Sequence, residues 1–175
     1  MQKFIIFGAL ACSGLLAGCM GGMGSSGAER AEARLAPTQD NRVVGVVSFT
    51  QTGDKVRVVA EVSGLTAGAH GFHIHEKGDC SAPDGTSAGG HFNPGAKPHG
   101  NPEHAEHHAG DMPQLIANAA GVATVTAYLN GPTISEGATA IVGRSVIVHA
   151  APDDFKTQPT GNSGARQACG VIVRK

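Results

Sequence analysis

Residues 55 to 62 alternate without a break, with Val56, Val58, Ala60 and Val62 on one face and Lys55, Arg57, Val59 and Glu61 on the other. Strict alternation of this kind marks a strand with one buried face. Arg42 to Gln51 precedes it across Thr52-Gly53-Asp54, so the pair is predicted to form a hairpin. A second hairpin is predicted from Gln114 to Ala117, round Asn118 to Gly121, and out along Val122 to Leu129. Thr139 to Val142 and Ser145 to His149 predict a β segment broken by Gly143, and Cys169 to Arg174 a last strand. No stretch of ten or more residues carries helical periodicity. Short strands with Gly and Pro turns predict an all-β fold, an antiparallel sandwich or barrel. Residues 77–113 and 150–168 break the rhythm. Irregular segments of this length in a compact domain usually carry function.

Composition narrows the picture. Glycine makes up 26 of 175 residues, aromatics 4% with no Trp, so the core must be built mainly from Val, Ala, Ile and Leu. A net charge of -1 argues against nucleic-acid binding through bulk positive charge. Histidine is the outlier: eight of the nine fall between His70 and His108.

The chain opens with Lys3 and a 15-residue apolar and small stretch, Phe4 to Gly18, too short for a comfortable membrane span. It closes on Leu16-Ala17-Gly18-Cys19, which resembles the bacterial lipoprotein cleavage box. The expected organisation is therefore a signal peptide over 1–18, a lipidated flexible tether over 19–36 with Cys19 acylated, and a folded domain over 37–175. Such a protein is exported to the periplasm or cell envelope and anchored to a membrane through Cys19. With Cys12 removed and Cys19 acylated, Cys80 and Cys169 remain, and two thiols in an exported domain most simply form one disulfide.

Within Gly71 to Glu76, Phe72 and Ile74 point one way and His73 and His75 the other, so two imidazoles can chelate one ion. His149 ends the run Val146-Ile147-Val148-His149. His91, His99 and His108 lie in the long polar segment, and Asp111 follows His108 by three. Three histidines and a carboxylate form a ligand set that zinc takes, while imidazole-rich sites of lower symmetry suit copper(II).

Five runs, GFHIHEKGDC (71–80), GGHFNP (89–94), HHAGD (107–111), GRSVIVH (143–149) and GNSGARQACG (161–170), resemble the copper/zinc superoxide dismutases in that family's order. The resemblance extends from about Arg34 to Arg174. It implies a Greek-key antiparallel β-sandwich, or flattened barrel, with two long functional loops. It implies one copper per chain on His73, His75, His91 and His149, and one zinc on His91, His99, His108 and Asp111, with His91 shared. Asp153 would accept hydrogen bonds from one histidine on each side, here His73 and His99. Arg166 would sit beside the copper, and Cys80 would pair with Cys169.

The implied reaction is dismutation of superoxide to dioxygen and hydrogen peroxide, with His91 carrying a proton and Arg166 orienting the anion. His70 matches a structural histidine of the family, and His104 and His107 have no counterpart. The loop from Ala150 to Ala165 is shorter than in cytosolic eukaryotic members and lacks their acidic pair and matching lysine. Lys77, Lys97 and Lys156 are then the cations left to guide the substrate. A copper-buffering periplasmic lipoprotein on the same fold is the competing reading; it would need the ligands but not Arg166. A homodimer stays open, because no interface is identifiable.

Overall fold

The computed structural model describes Met1, residues 27–104 and residues 106–175. The expected signal peptide and the acylated Cys19 therefore lie outside the described residues, Met1 apart. Nine strands follow one another: β1 (Arg30–Pro37), β2 (Val44–Thr52), β3 (Lys55–Ser63), β4 (Gly68–His70), β5 (Phe72–His75), β6 (Leu115–Ala117), β7 (Ala123–Asn130), β8 (Ser145–His149) and β9 (Arg166–Arg174). Among the described residues the only helical element is a 3₁₀ turn at Thr86–Ala88, and no helix is long and apolar enough to cross a membrane.

Seven strands form one sheet in the order β5-β8-β9-β1-β2-β3-β7, and β4 pairs with β6 beside it. Every strand ladder is antiparallel. The chain crosses between the two ends of this order twice, from β3 to β5 and from β7 to β8, which gives the Greek-key character that the resemblance implies. The first hairpin forms as expected, with Thr52 opposite Lys55 and Gly53 at a φ of 62° that favours glycine in the tight turn.

Three expectations need correction. Residues 30–36 are not tether. The charges at Glu32 and Arg34 alternate with buried Ala31, Ala33 and Leu35, so this segment is a half-buried strand between β2 and β9. The second hairpin turns as predicted at Asn118–Gly121, with Asn118 Oδ1 accepting from the amides of Ala120 and Val122. Its two strands then part: β6 pairs with β4, and β7 takes a longer ladder along β3. Thr139–Val142 forms no strand, only an isolated bridge between Thr133 and Ala140, because Gly137 and Gly143 both bend the chain at positive φ.

The core lies inside the curled sheet, around Phe49, Val58, Phe72, Ile74, Leu115, Ile134, Val146, Val148 and Ile172. Each fully buried side chain of this size contributes about 1.5–3 kcal/mol. β5 and β8 differ from the other strands in being buried throughout. Phe72, Ile74, Val146 and Val148 join the main core, while His73, His75 and His149 lie on the opposite face. Ile147, on that same face, packs in a small cluster with Ala88 and Cys169. The cover over that face comes from the two long loops.

Candidate metal centre

The copper-side histidines are placed mainly by ladder pairing. His73 lies opposite Ile147 and His75 opposite Ser145, while His149 closes β8 against Arg166 at a register shift. His91 has no strand of its own but pairs with His75 as an isolated bridge. All four are buried, and one ring nitrogen of each lies within 4.8 Å of the others.

Each of these rings has one nitrogen engaged and one without a partner. His73 Nε2 donates to Asp153 Oδ2 at 2.7 Å, His75 Nδ1 to the Gly89 carbonyl at 2.9 Å, and His149 Nδ1 to the Gly164 carbonyl at 3.2 Å. His91 Nδ1 lies 2.9 Å from Asp111 Oδ1. The opposite nitrogens, His73 Nδ1 and Nε2 of His75, His91 and His149, are buried with no hydrogen-bond partner. A buried ring nitrogen left unpaired costs about 1–3 kcal/mol, and four converging on one point fit the lone pairs of a metal ligand set. The engaged nitrogens fix the tautomers that leave those lone pairs free.

The second group shares His91. Asp111 Oδ1 lies 2.9 Å from His91 Nδ1, 3.0 Å from His99 Nδ1 and 3.4 Å from His108 Nδ1, and the His91 and His108 Nδ1 atoms are 3.4 Å apart. Ligands about 2.0–2.1 Å from a tetrahedral zinc would stand roughly 3.3 Å from one another, so these donors fit that geometry. Asp111 Oδ2 meanwhile accepts from the amides of His108 at 2.8 Å and Gly100 at 3.1 Å, which aims its other oxygen at the rings.

Asp153 joins the two groups. Its Oδ2 holds His73 and its Oδ1 holds His99 Nε2 at 2.9 Å, while its amide donates to Gln114 Oε1 at 3.0 Å. Cys80 and Cys169 form a disulfide with a Cα separation of 5.8 Å. Arg166 is half-buried nearby and donates from Nη1 to the Gly85 carbonyl and from Nη2 to the Gly89 carbonyl, both at 2.7 Å. Gly89 O thus orients both His75 and the guanidinium, which has five N–H donors and spends two here.

Burial dominates the proton chemistry of the copper-side rings. It lowers His91 to about 4 and His149 to about 3, holds His75 well below the ordinary imidazole range, and lowers His73 despite Asp153. His99 behaves oppositely. Burial alone would lower it, but hydrogen bonds to Asp111 and Asp153 raise it to about 9. Burial also opposes ionisation of Asp111 and Asp153, yet hydrogen bonds from the histidines hold both carboxyls well below their usual range.

The remaining sequence candidates lie outside these groups. His70 is buried and bonds the His149 carbonyl at 2.8 Å, a structural tie. His104 is exposed, His107 bonds the His108 carbonyl, and Lys77, Lys97 and Lys156 are exposed. The sequence reading missed three residues. Arg144 sits over the Phe92 ring at 3.6 Å and donates to the carbonyls of Ala140 and Glu76, steadying the residues after His91 and His75. Gly161, at φ 65°, passes so close that a Cβ would meet Asp153 Oδ1 at 1.8 Å and His99 Nε2 at 2.6 Å. Gln158 bonds His99. No ligand spacing advertises any of the three.

Comparison with known proteins agrees with the geometry. A family model described as copper/zinc superoxide dismutase matches residues 43–172. An extracellular copper-zinc superoxide dismutase of Drosophila melanogaster is 44% identical over 149 residues, covering 79% of this chain and 81% of its own. That of Caenorhabditis elegans is 40% identical over 149 residues, 82% of this chain, which spans just 65% of the worm protein's length. A copper-zinc superoxide dismutase of Caulobacter vibrioides is 44% identical over 143 residues, covering 76% and 80%.

Proposed function

The chain belongs to the copper/zinc superoxide dismutase family, and from that premise we propose how its own residues carry the reaction. Superoxide is the substrate, copper and zinc are the cofactors, and two superoxide ions with two protons give dioxygen and hydrogen peroxide. Copper would be held by Nδ1 of His73 and Nε2 of His75, His91 and His149, zinc by His91, His99, His108 and Asp111. Copper bound there supplies the one-electron couple of the dismutation. His91 presents Nδ1 to the zinc side and Nε2 to the copper side, so Nε2 is the atom that would hold a proton for the peroxide product. Asp153 keeps the rings of His73 and His99 in register with each other. Arg166, permanently charged and planar, orients the small anion with the donors that Gly85 and Gly89 do not use.

The observation that carries this reading is the set of four buried ring nitrogens without partners, each on a ring whose other nitrogen is engaged. Copper buffering alone would need those nitrogens but no guanidinium. The carbonyl shared by His75 and Arg166 favours catalysis. Superoxide decay and metal content measured on one sample test it. Rapid decay at one copper and one zinc per chain is expected; full loading with decay no faster than in buffer would overturn it.

We further infer export. Three relatives are named as extracellular enzymes, and residues 1–18 have the make-up of a signal peptide. Cys19 would carry the lipid that anchors the protein in the envelope, on a tether shortened to residues 19–29 by the extent of β1. Fatty-acid labelling that Cys19→Ala abolishes is expected; undiminished labelling would remove the anchor.

A further inference from the structure

His99 reaches the zinc group from a segment with no strand on either side. Pro98 before it has no amide hydrogen, and Gly100 after it gives its amide to Asp111. The His99 residue is buried, so its own backbone amide and carbonyl need partners. Both are met by one side chain from the other loop. Gln158 Oε1 accepts from the His99 amide at 2.8 Å, and Gln158 Nε2 donates to the His99 carbonyl at 2.9 Å. The second Nε2 hydrogen goes to the Lys156 carbonyl at 3.2 Å. A side-chain amide here stands in for the neighbouring peptide that a ladder would supply.

Gln158 is itself presented by a tightly bonded turn. Asp154 Oδ1 accepts from the amides of Lys156 and Thr157, Asp154 Oδ2 from the Thr157 hydroxyl, and the Gly161 amide reaches the Thr157 carbonyl. The same turn delivers Asp153 to the His99 ring. The loop at 153–161 therefore grips His99 at three points: amide, carbonyl and ring.

We propose that Gln158 is a positioning residue for the zinc group, clamping the main chain of His99 so that the 150–165 loop sets where this ligand stands. The proposal rests on His99 being a zinc ligand. Outer partners of ligands typically contribute 10–100-fold in metal affinity, and Gln158 is exposed, so the lower end applies. Gln158→Ala in the full chain loaded with copper and zinc is expected to release zinc to a chelator about tenfold faster. Visible bands of cobalt substituted on the zinc side should shift, while the copper resonance spectrum stays as in the parent. Gln158→Glu, which keeps the acceptor for the His99 amide but loses the donor to the carbonyl, should fall between.

Zinc release and cobalt bands unchanged in both variants would overturn the clamp, as would equal loosening of copper and zinc, which marks a general structural role. His99→Ala is the control for the underlying reading. If that variant holds zinc as firmly as the parent, His99 is no ligand and the clamp falls with it. If zinc is lost there but kept in Gln158→Ala, only the clamp fails.

Discussion

The copper-side and zinc-side groups share one ring yet are built differently. His73, His75 and His149 stand on paired strands, and His91 is bridged to His75, so backbone ladders fix their spacing. His99 and His108 stand on a loop, where side chains do the work of ladders. Asp111 catches the amides of Gly100 and His108, Gln158 catches His99, and Asp153 holds its ring. The electrostatics divide in the same way: burial keeps the copper-side rings neutral, while two carboxylates hold a proton on His99. A site on strands is positioned by the fold itself. A site on loops needs its own network, and each member can be removed singly.

The largest expected effect comes from cutting the tie between the loops and the sheet. The Cys80–Cys169 disulfide closes a loop with a sequence separation of 89, for which chain entropy gives about 4–5 kcal/mol. Cys80→Ser with Cys169→Ser should lower the unfolding free energy of the metal-free protein by about that amount. A denaturation midpoint that does not move would mean the loops are held without it. Next is Arg166→Ala, expected to keep both metals while kcat/KM falls about 10²–10³-fold, the usual loss when one preorganised donor to a developing anion is removed. Normal turnover at full metal content would remove Arg166 from the mechanism.

Asp153→Ala touches both groups at once and should weaken copper and zinc alike by about 10–100-fold. A loss confined to one metal, read by competitive chelation, would break the symmetry assigned to this carboxylate. The smallest effect is a slope. Zinc held by His99 would displace its proton, so below pH 9 each zinc bound should release about one proton and affinity should rise about tenfold per pH unit. That proton stabilises the metal-free fold fully below pH 6.5, and its contribution is lost as the pH rises through about 9. Copper alone would meet rings that burial keeps neutral, His91 through its free Nε2, and should release almost no proton near pH 7. Loading both ions must also remove the ring proton of His91. Equal proton release when each metal is added alone to the metal-free protein would contradict the contrast.

The sequence is legible where the structure is periodic. The alternation at Lys55–Val62 and at Phe72–His75 gives strands with the correct inward faces. In the HHAGD run the three-residue gap to Asp111 favours His108 over its neighbour His107, and His108 and Asp111 do stand in one group. Legibility fails where two signals compete. Around Glu32 and Arg34 the charges suggest a tether, although Ala31, Ala33 and Leu35 carry the alternation of a strand. It fails again where a strand's partner lies far along the chain: the turn at Asn118–Gly121 is local, but the choice of β4 for β6 and β3 for β7 depends on the whole sheet. Gln158 and Gly161 leave no trace in spacing, because one acts through the backbone of His99 and the other by lacking a side chain.

The most direct test of a strand-built and a loop-built group joined through His91 is magnetic. Two paramagnetic ions on opposite nitrogens of one imidazole couple through the ring. Electron paramagnetic resonance of the protein with copper(II) on one side and cobalt(II) on the other should show the copper signal lost, and His91→Ala should prevent that loss wherever both ions still bind. A copper signal unaltered by cobalt in the parent protein would contradict the shared ligand.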